Sequence, residues 1–146
     1  MLIEQLSVFL QNEAGRLAQM CAVLGDEGFD MHALVVADTC EYGVARVICD
    51  RPHSARRVLE AAGLAVSVTR VVAVEVPDRP GGLADVLKVL GADEINVEYL
   101  YCFPRCKVEE AVDILRVADP DAAAASLTAA GFTLVHASQI YEPDAA

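Results

Sequence analysis

The chain has 146 residues, carries a net charge of −11, and is 55% hydrophobic but only 5% aromatic. That length suits one domain or two very small ones and can bury a core without disulfide or metal staples. The acidity opposes nucleic acid and anionic membrane surfaces as partners. No stretch of roughly 20 predominantly apolar residues offers a membrane span.

The first residues, Met1 to Gln5, have no basic region ahead of an apolar run, so no signal peptide is expected. Five scattered cysteines, Cys21, Cys40, Cys49, Cys102 and Cys106, do not read as a disulfide framework. Together these point to a reducing, cytoplasmic setting.

In chain order, Leu6, Val8 and Leu10 alternate, which predicts a strand with one buried face. A loop over 12–17 follows. Leu17, Met20, Cys21 and Leu24 then recur at the spacing of one helical stripe. β-rich stretches over 31–37 and 44–49 predict two further strands. Asp50, Arg51 and Pro52 suit a helix start, with Ala55, Val58, Leu59 and Ala62 as its apolar stripe. Gly63 sits where a left-handed helix cap belongs, and 65–68 predicts a fourth strand.

The same order then repeats. Val72, Val74 and Val76 alternate. Asp78, Gly81 and Leu83 match Asn12, Gly15 and Leu17, each 66 positions on. Leu83, Val86, Leu87 and Leu90 form a stripe; 97–103 and 111–117 predict strands; Asp119 and Pro120 predict a helix start. Ala123, Leu127 and Ala130 are the last helical stripe, Gly131 the cap, and 133–136 a closing strand. Such repetition decides the architecture.

The pattern β-α-β-β-α-β, twice, predicts an α+β fold. It consists of two tandem ferredoxin-like copies, each an antiparallel sheet with helices on one face. The expected units are residues 1–69 and 70–140, with a tail at 141–146. No Gly, Pro or Ser linker separates them near Thr69 and Arg70.

The chemistry-bearing feature is the loop ahead of the first helix: Asn12, Glu13, Ala14, Gly15, Arg16 and Leu17. Glycine allows a close backbone turn. The unpaired N–H groups of the first helical turn, at the positive end of the helix dipole, favour a carboxylate. Asn12 could cap the helix or contact a ligand.

On these residues the chain resembles the ACT domain, the amino-acid-sensing module appended to biosynthetic enzymes. The resemblance rests on the Asn/Asp-x-x-Gly-x-Leu loop in both copies. It rests also on Gly28, Phe29, Asp30, Met31 and their counterparts Glu94, Ile95, Asn96, Val97 at the start of each second strand. It spans about residues 3–138.

The resemblance implies a stand-alone regulatory protein that is not an enzyme, needs no cofactor, and binds a small amino acid between units. The loop 12–17 would face Asn96 and Val97. A weaker second site would join Asp78, Arg79, Pro80, Gly81, Gly82 and Leu83 to Asp30 and Met31. Two neutral amides can bond both ends of a zwitterion, whereas Asp78 and Asp30 would repel its carboxylate. A homodimer and a partner metabolic enzyme or transporter are expected. The alternative is a scaffold of the same fold that has lost its ligand and only assembles.

Other residues carry less. Cys102 and Cys106, with Cys40 or His32, lack the paired spacing of a structural metal site and read as packed thiols. His32, His53 and His136 are too dispersed for a nucleophile–base set. His32 lies nearest the ligand region. Arg51, Arg56, Arg57 and Glu60 read as a solvated helix face, and the alanine-rich run over 122–125 as a strong helix former.

Overall fold

The computed structural model describes residues 2–38, 42–104 and 110–145. It contains β1 (Ile3–Gln11), α1 (Arg16–Asp26), β2 (Met31–Asp38), β3 (Tyr42–Cys49), α2 (Pro52–Ala61), β4 (Ala65–Pro77), α3 (Gly82–Ala92), β5 (Val97–Pro104), β6 (Glu110–Val117) and α4 (Pro120–Ala129), then a 3-10 turn at Ala137–Gln139. Contacts divide the chain into two compact units. One is Glu4–Thr69 with Ile140–Ala146; the other is Arg70–Gln139 with Met1–Ile3.

In the first unit the strand order is β2-β3-β1-β4. β1 pairs antiparallel with β3, Leu6 opposite Val47 and Leu10 opposite Gly43, and β2 pairs antiparallel with β3. Period two puts Leu6, Val8 and Leu10 on one face, where they pack with Ala45, Val47, Met20, Leu24, Ala55 and Leu59. Each large apolar side chain so buried contributes about 1.5–3 kcal/mol. In the second unit the order is β4-β6-β5. Val72, Val74, Val76, Leu115 and Val117 pack with Val86, Leu90, Ala123 and Leu127.

The α+β fold with two ferredoxin-like copies is therefore as the residues imply, with two differences in the strands. The runs 65–68 and 72–76 belong to a single strand, β4, because nothing at Thr69 or Arg70 breaks an extended chain. The closing strand expected over 133–136 is reduced to one bridge, Val74 opposite Leu134. Glu75 N–H donates to Thr133 O at 2.9 Å and Val135 N–H to Ala73 O at 2.8 Å. Beyond Val135 the chain leaves the extended conformation for the 3-10 turn at Ala137–Gln139, closed by Gln139 N–H donating to His136 O at 2.9 Å and by His136 N–H donating to Gln139 Oε1 at 2.7 Å.

The helix ends show how capping is distributed. Gly63 and Gly131 take φ of +85° and +89° after α2 and α4, the left-handed cap that glycine permits. Asp119 caps α4, its Oδ1 accepting from Asp121 N–H at 3.1 Å and Ala122 N–H at 3.0 Å. At α2 the cap position holds Arg51, with φ +48°, a conformation that costs a non-glycine residue about 1–2 kcal/mol. Asp144 supplies the carboxylate instead, accepting from His53 N–H at 2.8 Å and Ser54 N–H at 2.9 Å. Among the described residues no helix is long and apolar enough to cross a membrane.

Candidate functional site

The loop between β1 and α1 turns tightly on itself. Glu13 N–H donates to Gln11 O at 2.8 Å, Arg16 N–H to Glu13 O at 3.3 Å, and Gln19 N–H to Gly15 O at 2.9 Å. Gly15 is the residue before the helix, with φ +91°, and no side chain caps the first turn. The capping role open to Asn12 is thus not taken, and its side chain is exposed beside the helix tip. The Arg16 guanidinium is drawn aside by Gln11 Oε1 at 2.5 Å and Gln19 Oε1 at 3.4 Å.

A cavity of about 370 Å³ lies against this loop, lined by Leu10, Gln11, Asn12, Glu13, Leu17, Val36 and Gly43. Leu17, placed by its spacing on the core stripe of α1, is instead exposed at 38%, and Val36 on β2 is exposed at 45%. They give the cavity an apolar wall. Sequence reasoning missed Leu10, Gln11, Val36 and Gly43. The signal for the last was a glycine inside a strand, which often marks close approach of a ligand or backbone.

The matching loop in the second unit has the same backbone but a different filling. Gly81 takes φ +87° before α3, again with no side-chain cap. Here Gly82 replaces Arg16, and a Cβ at 82 would stand 2.2 Å from Pro77 O. Arg79 N–H donates to that same oxygen at 2.8 Å. The Arg79 guanidinium crosses to Asp85 in the first helical turn at 2.8 Å and to Pro80 O at 3.3 Å. Its hydrogen bond holds the Asp85 carboxyl below the usual range, and the two form an ion pair beside the tip. Asp78 is exposed.

The remaining expected site residues lie at the starts of the second strands. Asp30 is exposed and Met31 half-buried at the start of β2, Met31 packing against the first core. Asn96 is exposed and Val97 half-buried at the start of β5. Gly28 has φ +73° and its counterpart Glu94 has φ +57°, so the glutamate holds the conformation that glycine adopts without strain.

Asp113 was not anticipated. It lies on β6 opposite Val74, on the strand face shared with Leu115 and Val117, at the position Ala45 holds in the first unit. It is 4% exposed. Burial pushes its carboxyl up.

Cys49 is buried, and burial with the neighbouring Asp50 pushes its thiol up to about 12, far from the thiolate that does chemistry. Cys102 is exposed and Cys21 half-buried. Cys40 and Cys106 lie outside the described residues. No group of three or more His, Cys, Asp or Glu among the described residues is placed to hold a metal ion.

Two α+β copies, each with a glycine-turned loop ahead of an uncapped helix, define a tandem module of one recognisable class. The family model for the ACT domain pair matches residues 1–141, and the chain belongs to that family. Protein BT0572 of Bacteroides thetaiotaomicron has the same fold at a TM-score of 0.89 and 34% identity, over 95% of each chain. The regulatory subunit of aspartate kinase from Thermus thermophilus, solved ligand-free, aligns at TM-score 0.65 and 15% identity, over 89% of this chain and 94% of that one. Its Thermus flavus counterpart aligns at 0.62 and 14%, over 89% and 94%. No curated protein sequence matches the chain.

Proposed function

We propose that this chain is a non-catalytic regulatory protein that binds a small amino acid at the loop 12–17. The supporting observation is the cavity of about 370 Å³ beside an uncapped helix start. Small-molecule sites run from roughly 300 to 1,000 Å³, so the space suits a ligand of this size. The free N–H groups of the first turn of α1 take the carboxylate, Asn12 adds a neutral donor and acceptor, and Leu17 and Val36 meet the side chain.

The loop 78–83 is the weaker site. Its backbone closes on Gly82, and the exposed Asp78 and Asp30 carboxylates each oppose a ligand carboxylate. Regulatory subunits of aspartate kinase share this fold, and by that analogy binding shifts a pairing equilibrium, in a homodimer, that a partner metabolic enzyme or transporter reads.

A ligand with about ten heavy atoms binds in the micromolar to millimolar range. The test is thermal shift with each of the twenty amino acids at millimolar concentration. One or a few should raise the melting temperature. No shift with any would leave the assembly-only scaffold as the function of this fold.

A further inference from the structure

The segment 140–145 packs on the first unit through contacts that neither the fold nor the proposed ligand site requires. Tyr141 is 6% exposed, and its hydroxyl oxygen accepts from Glu4 N–H at 3.0 Å. Glu142 N–H donates to Asp50 Oδ1 at 2.8 Å, and Glu142 O accepts from Arg51 N–H at 2.6 Å. Asp144 caps α2 and also accepts from Ser54 Oγ at 2.5 Å. His53, whose N–H Asp144 holds, is paired through its ring with Glu4 at 3.0 Å.

The two residues gripped by Glu142 are also tied to the start of β2. Asp50 Oδ1, the atom that accepts from Glu142, lies 2.8 Å from His32 Nε2. Asp50 N–H donates to Asp30 O at 3.1 Å. The Arg51 guanidinium donates to Gly28 O at 3.0 Å and stacks 4.5 Å from the Phe29 ring centroid. Asp50 and Arg51 thus form a two-residue step with the segment on one side and residues 28–32 on the other.

The second unit shows that this step is not needed to start the helix. There Asp119 stands at the position of Arg51, takes an extended backbone and caps α4 itself. In the first unit the local carboxylate is gone, the backbone at Arg51 is left-handed, and the cap comes from Asp144. Strained residues persist where surrounding contacts over-determine them, and such outliers cluster at clamps and switches.

We propose that segment 140–145 is a strap that holds the start of β2 in place through the Asp50 and Arg51 step. When the strap leaves, α2 loses its cap, Arg51 loses the contact that fixes its backbone, and residues 28–32 loosen. Asp30 and Met31 belong to the second proposed ligand site, so control of that site by the strap rests on the reading above; the coupling itself does not.

Amide exchange on the full chain tests the coupling without any ligand. Asp144→Ala should speed exchange at His53 and Ser54, whose N–H groups it caps. It should also speed exchange at least tenfold at Phe29 and Asp50, which Asp144 does not touch. Tyr141→Phe, a milder change, should give the same pattern with smaller factors. Ending the chain at Gln139 should give it in full.

In Arg51→Asp, which restores a local cap, Asp144→Ala should no longer affect His53 and Ser54. Faster exchange confined to His53 and Ser54 in all the strap variants would make the segment a helix cap and nothing more. Unchanged exchange throughout would show that it is not docked. Either result overturns the proposal.

Discussion

The loops 12–17 and 78–83 are the same device filled differently. Both use a left-handed glycine to enter an eleven-residue helix without a side-chain cap. In the first, Arg16 follows the glycine and a cavity opens between the loop, Leu17 and Val36. In the second, Gly82 lets the backbone oxygen of Pro77 approach so closely that no side chain fits, and an Arg79–Asp85 ion pair spans the tip. A duplicated motif therefore keeps its backbone while the space and the charges beside it differ between the two copies.

The largest expected effect probes that close approach. Gly82→Ala should destabilise the second unit by about 2–3 kcal/mol, because the obstructing atom is backbone and cannot rotate away; denaturant unfolding measures it. Arg16→Gly at the matching position should cost far less, since Arg16 meets no such obstruction. Equal losses would erase the difference between the loops.

Asp113→Ala comes next, restoring to the second unit what the first has at Ala45. Taking a polar group out of water costs about 1–3 kcal/mol in proteins, and burial disfavours the ionised Asp113 carboxyl, so this substitution should stabilise the chain at neutral pH by an amount in that range. The raised carboxyl pKa fixes the sign of its pH dependence. The native state takes up the proton before the unfolded chain does, so the penalty is full above the raised pKa and fades as pH falls through it. The advantage of Asp113→Ala in urea melts should shrink accordingly toward acid. An advantage constant with pH would mean the carboxyl is not desolvated.

The smallest effect on stability should come from Gly43→Val, aimed at the first loop's cavity. A Cβ at 43 meets nothing nearer than 3.8 Å, and valine suits a strand, so stability should move by less than about 1 kcal/mol. The larger side chain fills the cavity, and amino-acid affinity should fall at least tenfold by calorimetry. Retained affinity would place the ligand elsewhere.

Much of this was legible in the sequence because periodicity and turn chemistry are local. The alternations at 6–10 and 72–76, the stripes of α1 and α3, and the caps at Gly63 and Gly131 each follow from a few adjacent residues. What was not legible depends on residues distant in the chain. Nothing in Asp50, Arg51 and Pro52 announces that the cap of α2 comes from Asp144, 93 positions beyond Arg51. Leu17 fits the helical stripe by spacing yet faces a cavity, because Val36 and Gly43, brought up by strand pairing, leave space there. The strand at 133–136 fades because the chain turns into the 3-10 helix at Ala137–Gln139, which no pattern in 133–136 announces.

Calorimetric titration of the wild type, Asn12→Ala and Asp78→Ala, with the amino acid that gives the largest thermal shift, tests the asymmetry most directly. Asn12→Ala should lose at least tenfold in affinity, while Asp78→Ala should bind as the wild type does. Equal losses in the two variants, or a loss confined to Asp78→Ala, would contradict the assignment of the ligand to the first loop.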